Sequence, residues 1–398
     1  MKMRKRQPGR ALANARRFLK NAIDRRRHPE RFVQHSSTPF DEVYRDGIMS
    51  VRHYRQLEDS RIYIEGEEYF VHRSRFRTPL VLVPPLGVFA WIFDLMIERS
   101  LVRYFLAHGF DVYLIDWGNP SGPDYAELSL ENYVLDWFPK AMEAIRAHSG
   151  EQEVSVMGYC MGGLLSLFYL ASSQDEKVRN LVTIASPVDV TKMGMAGKLS
   201  SLVQVPTKLV RRYTGFRIEQ LDPQKFHVPG KWVSFAFKMS SPLSPLTSYF
   251  SLVRNLADTD YVTRYMSMNE WFNNMADYPG GTVLEMIKKL GLHNRLAKGL
   301  VRIGGRSADF RDIKCDLLAF AGDSDAIVPI AAAYKIMDVV GSRDKRFHLV
   351  PGGHAGVFTG GTAASTTWQI SKEWLAKRSD RNPDVSGSAL QKTDADAV

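Results

Sequence analysis

The spacing of apolar residues changes period several times along the chain. Residues 50–78 alternate polar with apolar or aromatic side chains around Glu65-Gly66-Glu67-Glu68, a pattern that predicts an antiparallel hairpin. The short apolar run 79–87 is stopped by Pro84-Pro85 and reads as a buried strand and loop. Residues 94–109 carry helical periodicity and end on Gly109, and 110–122 read as a strand and turn. A helix is expected over 129–150, with a capping signal at Ser129 and Asn132 and a stop at Gly150. Strand 153–158, helix 161–173 and strand 178–189 follow.

Near residue 190 this rhythm stops. It resumes with strand 315–325, helix 329–341, strand 346–350 and a helix around 363–377. Strands alternating with helices imply an α/β fold with a mostly parallel central sheet and helices on both faces. The stretch 191–300 reads as irregular, rich in Met, Phe, Tyr and Trp, and inserted between strands. Its place suggests a cap over the carboxyl edge of the sheet, where open α/β folds bind ligands. The expected organisation is a basic segment 1–49, a first core part 50–190, the cap 191–300, a second core part 301–377 and a polar, disordered tail 378–398.

Charge adds one feature. The chain has 398 residues and a net charge of +10, and residues 1–31 hold twelve Lys/Arg against only Asp24 and Glu30. Leu12, Ala15, Leu19, Ala22 and Ile23 recur there at helical spacing, which suggests a basic amphipathic helix suited to an anionic or granule surface; the alternative is a solvated tail. No nucleic-acid motif accompanies it, and no nucleic-acid partner is expected. The sequence shows neither a membrane-spanning run nor a secretory signal, so a soluble cytoplasmic protein is expected. Two cysteines make no disulfide framework, and no cysteine/histidine cluster suggests a metal.

One of those cysteines stands in Gly158-Tyr159-Cys160-Met161-Gly162, between a predicted strand and a predicted helix. A free cysteine is usually a small buried apolar residue. The G-x-Cys-x-G spacing at a strand-to-helix turn instead matches a nucleophile elbow, which holds its side chain above the sheet at a helix N-terminus. Oxyanion donors are then expected from the Met161 N–H and from the loop after Val83, around Leu86 or Gly87. Asp325 follows one later strand and His354 the next, giving the chain order nucleophile, acid, histidine of α/β-hydrolases. Asp323 competes for the acid role; Asp325 is preferred because it directly precedes the helix opened by Ile327-Val328-Pro329. His348 lies within a strand, and Cys315 is expected to be structural.

A thiol nucleophile carries its own implication. Serine attacking a thioester would make an oxygen ester and lose the activation. Cysteine makes another thioester, leaving the acyl group ready for transfer to an alcohol. Acyl transfer from a thioester donor is therefore favoured, with an esterase or acyl-CoA thioesterase as the alternative and a non-enzymatic granule protein as a third reading.

The stretch Gly158–Gly163, the segments 83–121 and 181–189, residues 270–329 and Gly352–Gly360 together resemble polyhydroxyalkanoate synthases, most of all the shorter, two-subunit (class III) type. The resemblance spans about 50–377. It implies an α/β-hydrolase fold and polymerisation of (R)-3-hydroxyacyl-CoA with release of coenzyme A. It further implies Cys160 as the thioester carrier, His354 as general base and Asp325 assisting. Cytoplasmic polyester granules, a homodimer and a second synthase subunit are implied contexts; no cofactor or metal is. The chain departs from the family pattern with Ala326 after Asp325 and with Ala355 after His354.

Overall fold

A computed structural model describes residues 8–35, 37–193, 221–239, 244–291 and 295–380. Its centre is an eight-stranded sheet in the order β1-β2-β6-β5-β7-β8-β11-β12. The strands are β1 (Phe40–Asp46), β2 (Met49–Tyr54), β5 (Leu80–Val83), β6 (Val112–Asp116), β7 (Val154–Tyr159), β8 (Val178–Ile184), β11 (Asp316–Gly322) and β12 (Lys345–Val350). From β6 to β12 all neighbours pair in parallel; β1 and β2 join antiparallel at the other edge. Two small hairpins stand apart, β3 (Arg61–Ile64) with β4 (Glu67–Phe70) and β9 (Leu300–Ile303) with β10 (Arg306–Asp309).

Both faces of the sheet are covered, so its central strands are apolar throughout rather than alternating. All four residues of β5 are buried. Val81 and Val83 face one core with α3 (Phe138–Ser149) and α4 (Met161–Ser173), whereas Leu80 and Leu82 face a second with α2 (Leu101–Ala107) and the C-terminal helix Gln369–Ala376. The parallel strands point their carboxyl ends at one edge, and the loops bearing Cys160, Asp325 and His354 all follow β7, β11 and β12 there.

Several elements differ from the sequence reading. The hairpin over 50–78 contracts to β3–β4; Glu65 and Gly66 both have positive φ (50° and 83°), the turn that matches strand twist. Residues 40–46, expected in the N-terminal segment, form edge strand β1. The helix expected over 94–109 shortens to α2. Asp94 is buried and accepts from the Thr38 N–H and hydroxyl (both 2.8 Å) and from Ser100 Oγ (2.6 Å). Ser100 in turn accepts the Arg103 N–H at 3.0 Å and caps α2, which fixes where the helix can start.

The insertion is helical, not irregular, where it is described. It contains α5 (Gly230–Met239), α6 (Ser244–Arg254), α7 (Thr259–Asn273) and α8 (Gly280–Met286). The basic stretch forms helix α1 (Pro8–Arg27), and it docks on this cap. Buried Asn21 donates to Leu256 O at 2.8 Å, and Phe32 packs with Leu252, Leu256 and Val262. Leu12, Leu19 and Ile23 of α1 remain exposed. Among the described residues no helix is long and apolar enough to cross a membrane. The expected tail lies outside the described residues from 381 onward.

Candidate active site

Cys160 sits between β7 and α4 with φ 50° and ψ −117°, a strained backbone for a residue with a side chain. Its N–H donates to Ile184 O at 2.7 Å, which ties the turn to β8. The turn is tight enough to demand glycine on both sides. A Cβ on Gly158 would lie 2.5 Å from Gly163, and one on Gly162 would lie 2.1 Å from the Val83 carbonyl oxygen. The packing therefore requires the G-x-Cys-x-G pattern and leaves the Cys160 side chain half-buried at the start of α4.

The loop after β12 brings His354 to the same place. His354 Nδ1 lies 2.7 Å from Asp325 Oδ2, with both side chains almost wholly buried. Asp325 Oδ1 accepts the N–H groups of Ile327 (2.9 Å) and Val328 (2.8 Å), so its carboxylate is held by three donors. Asp323 instead accepts the Gly352 N–H at 3.0 Å and shapes the histidine loop from outside. Asp325 takes Nδ1, so Nε2 is left for the Cys160 sulfur. Burial disfavours a charged imidazole, but the charge of Cys160, hydrogen bonds with Asp325 and Cys160 and the charge of Asp325 outweigh it and lift His354 to about 10.

Cys315 lies away from this group, and burial pushes its thiol up to about 12. His348 stays on β12 beside Phe320.

The loop after β5 lies against the elbow, where a Cβ on Gly162 would meet Val83 O at 2.1 Å and Pro84 at 2.8 Å. Pro84 and Pro85 have no N–H, so Leu86 and Gly87 hold the first two donors after β5. Neither these nor the Met161 N–H has an acceptor among the described residues. Among those residues no group of three His, Cys, Asp or Glu side chains could hold a metal ion.

Two tyrosines that the sequence reading passed over belong to the site. Tyr159 Oη donates to the His354 carbonyl at 3.0 Å, and its ring stacks on Phe358 at 4.4 Å. The elbow thus braces the histidine loop. Tyr278, from the cap, donates its hydroxyl to Leu86 O at 2.8 Å. Tyr159 was legible only as the variable position of the elbow motif, and Tyr278 gave no local signal.

A cavity of about 550 Å³ opens above His354 between the core loops and the cap. Ser324, Ala326 and Gly353 form its floor, and Phe237, Met268 and Phe272 face them from α5 and α7. The Phe237 ring lies 6.0 Å from the His354 ring. Lys238 and Arg264 add positive charge on the cap side.

The mostly parallel sheet, with Cys160 at a strand-to-helix elbow and an aspartate-held histidine after later strands, defines a class: the α/β-hydrolase superfamily. The family model described as the alpha/beta hydrolase fold matches residues 79–361. Within that superfamily the chain belongs to the poly(3-hydroxyalkanoate) polymerases. It is 31% identical over 303 residues to the poly(3-hydroxyalkanoate) polymerase subunit PhaC of Allochromatium vinosum, covering 75% of this chain and 81% of that one. The Haloferax mediterranei subunit of the same name is 27% identical, covering 88% of this chain and 66% of the relative. That of Synechocystis sp. is 26% identical, covering 87% and 86%.

Proposed function

We propose that this chain polymerises (R)-3-hydroxyacyl-CoA into poly(3-hydroxyalkanoate), with Cys160 as nucleophile, His354 as general base and Asp325 as its orienting acid. The observation that carries the residue roles is the Asp325–His354 contact at 2.7 Å beside the strained Cys160 elbow.

In the first half-reaction the Cys160 sulfur attacks the thioester carbonyl while its proton passes to His354. The carbonyl oxygen takes the negative charge and is met by the Met161 N–H and by the Leu86 or Gly87 N–H. As the carbon–sulfur bond to coenzyme A breaks, His354 returns the proton to the leaving thiolate. In the second half-reaction a 3-hydroxyl attacks the Cys160 thioester and gives its proton to His354. The new oxygen ester forms, and the Cys160 sulfur leaves and is reprotonated. Asp325 holds the imidazole in the tautomer both steps need. Phe237, Met268 and Phe272 of the cap limit water beside His354, which favours transfer over hydrolysis. Lys238 and Arg264 suit the phosphates of the carrier.

The same reading assigns helix α1, basic and with Leu12, Leu19 and Ile23 exposed, to the granule surface in the cytoplasm. The exposed aromatic residues Trp232, Phe235 and Phe250 of the cap suit a partner protein, a second copy or a second synthase subunit.

The test is purified protein with 3-hydroxybutyryl-CoA, following free coenzyme A and insoluble polymer together. Coenzyme A released in step with polymer supports the proposal. Release of coenzyme A with free hydroxy acid alone would instead make it a thioesterase. Retained turnover in Cys160→Ala would remove the assigned nucleophile.

A further inference from the structure

We propose that Tyr278 is a positioning residue for the oxyanion loop, through which the cap sets the direction of the donor that stabilises the tetrahedral intermediate. The inference rests on the thioester reading above and deepens it.

The loop that follows β5 is held at two carbonyls by side chains from elsewhere. Trp117 Nε1 donates to Pro84 O at 3.0 Å, and Tyr278 Oη donates to Leu86 O at 2.8 Å. The first bond aligns a peptide with no N–H, because the next residue is Pro85. The second aligns the Leu86–Gly87 peptide. In a trans peptide the C=O and N–H point in opposite directions, so holding the Leu86 carbonyl fixes where the Gly87 N–H aims. An oxyanion donor lowers a barrier only if it is oriented before the charge appears.

Gly87 is shaped to the same contact. Its φ is +76°, and a Cβ there would lie 2.0 Å from Cε2 of Tyr278. Ring and loop therefore touch at Gly87, with no room for another side chain. Tyr278 is itself anchored. Its N–H and carbonyl both pair with Val228 at 2.9 Å, and the neighbouring Asp277 N–H donates to Asn119 Oδ1 at 2.9 Å. Burial and then the charge of Cys160 push the phenol well above its ordinary range, so its proton is available to donate. A cap residue thus reaches a core loop 192 positions away in the chain.

The experiment compares Tyr278→Phe with the wild type in two reactions of the same sulfur. Turnover of 3-hydroxybutyryl-CoA passes through an oxyanion. Alkylation of Cys160 by iodoacetamide displaces iodide and forms none. The expected result is a kcat lowered by about 10-fold or more with KM little changed, and an unchanged alkylation rate. Wild-type kcat in Tyr278→Phe would overturn the proposal. So would a parallel fall in kcat and alkylation, because Tyr278 would then act on Cys160 or on general packing. Rates are taken per Cys160 that can be labelled, so partial loss of folded protein does not blur the outcome. A wild-type enzyme that released no coenzyme A would instead count against the thioester reading itself.

Discussion

His354 and Asp325 meet through Nδ1 and Oδ2 at 2.7 Å with both side chains almost wholly buried, while Asp323, two residues away, accepts the Gly352 N–H at 3.0 Å. One short loop thus carries two carboxylates with different tasks. Asp325→Asn should lower kcat by about 10³–10⁴-fold by favouring the wrong imidazole tautomer. Asp323→Asn should leave kcat within a few-fold and cost about 1 kcal/mol of stability. Steady-state kinetics and urea unfolding of the two variants separate the roles.

His354 is lifted to about 10, first against burial and chiefly by Cys160. Cys160→Ala should therefore move the imidazole titration downward, as followed by NMR of the histidine ring. The sign for stability follows from a folded value above the ordinary 6.5. The contribution of His354 is complete below about pH 6.5 and is lost as pH rises through about 10. Urea unfolding across that window should show a larger loss in the wild type than in Cys160→Ala.

Gly162 approaches the Val83 carbonyl so closely that any side chain must move the elbow. Gly162→Ala should destabilise the protein by about 1–3 kcal/mol and also reduce turnover, since β5 carries the loop proposed to hold the oxyanion. Thermal melting and coenzyme A release should fall together.

Lys238 and Arg264 line the cap side of the cavity. Replacing both by Ala should raise KM for 3-hydroxybutyryl-CoA several-fold and leave KM for a short thioester without phosphates unchanged. Equal effects on the two substrates would show that these side chains do not meet the carrier.

Some of this arrangement is written locally. The run Val154–Tyr159, Cys160 and the helix from Met161 follow from apolar periodicity and from two glycines that no other residue could replace. The same holds for the parallel sheet, because strands buried on both faces must be apolar and their crossovers need helices. Other elements escaped for identifiable reasons. Edge strand β1 has no fully buried residue and so lacks a strong apolar pattern. The start of α2 depends on Asp94 meeting Thr38, a contact that helical periodicity does not reveal.

The sequence by itself determined the order of Cys160, Asp325 and His354 and the sharp turns that present them, because turn and helix chemistry act over a few neighbouring residues. Only the tertiary structure decided that Asp325 rather than Asp323 meets the imidazole, that Tyr159 braces His354 and that Tyr278 holds Leu86. The two tyrosine contacts join residues 195 and 192 positions apart. They exist because the sheet gathers its loops at one edge and the cap closes over them, and no local spacing encodes a meeting of that kind.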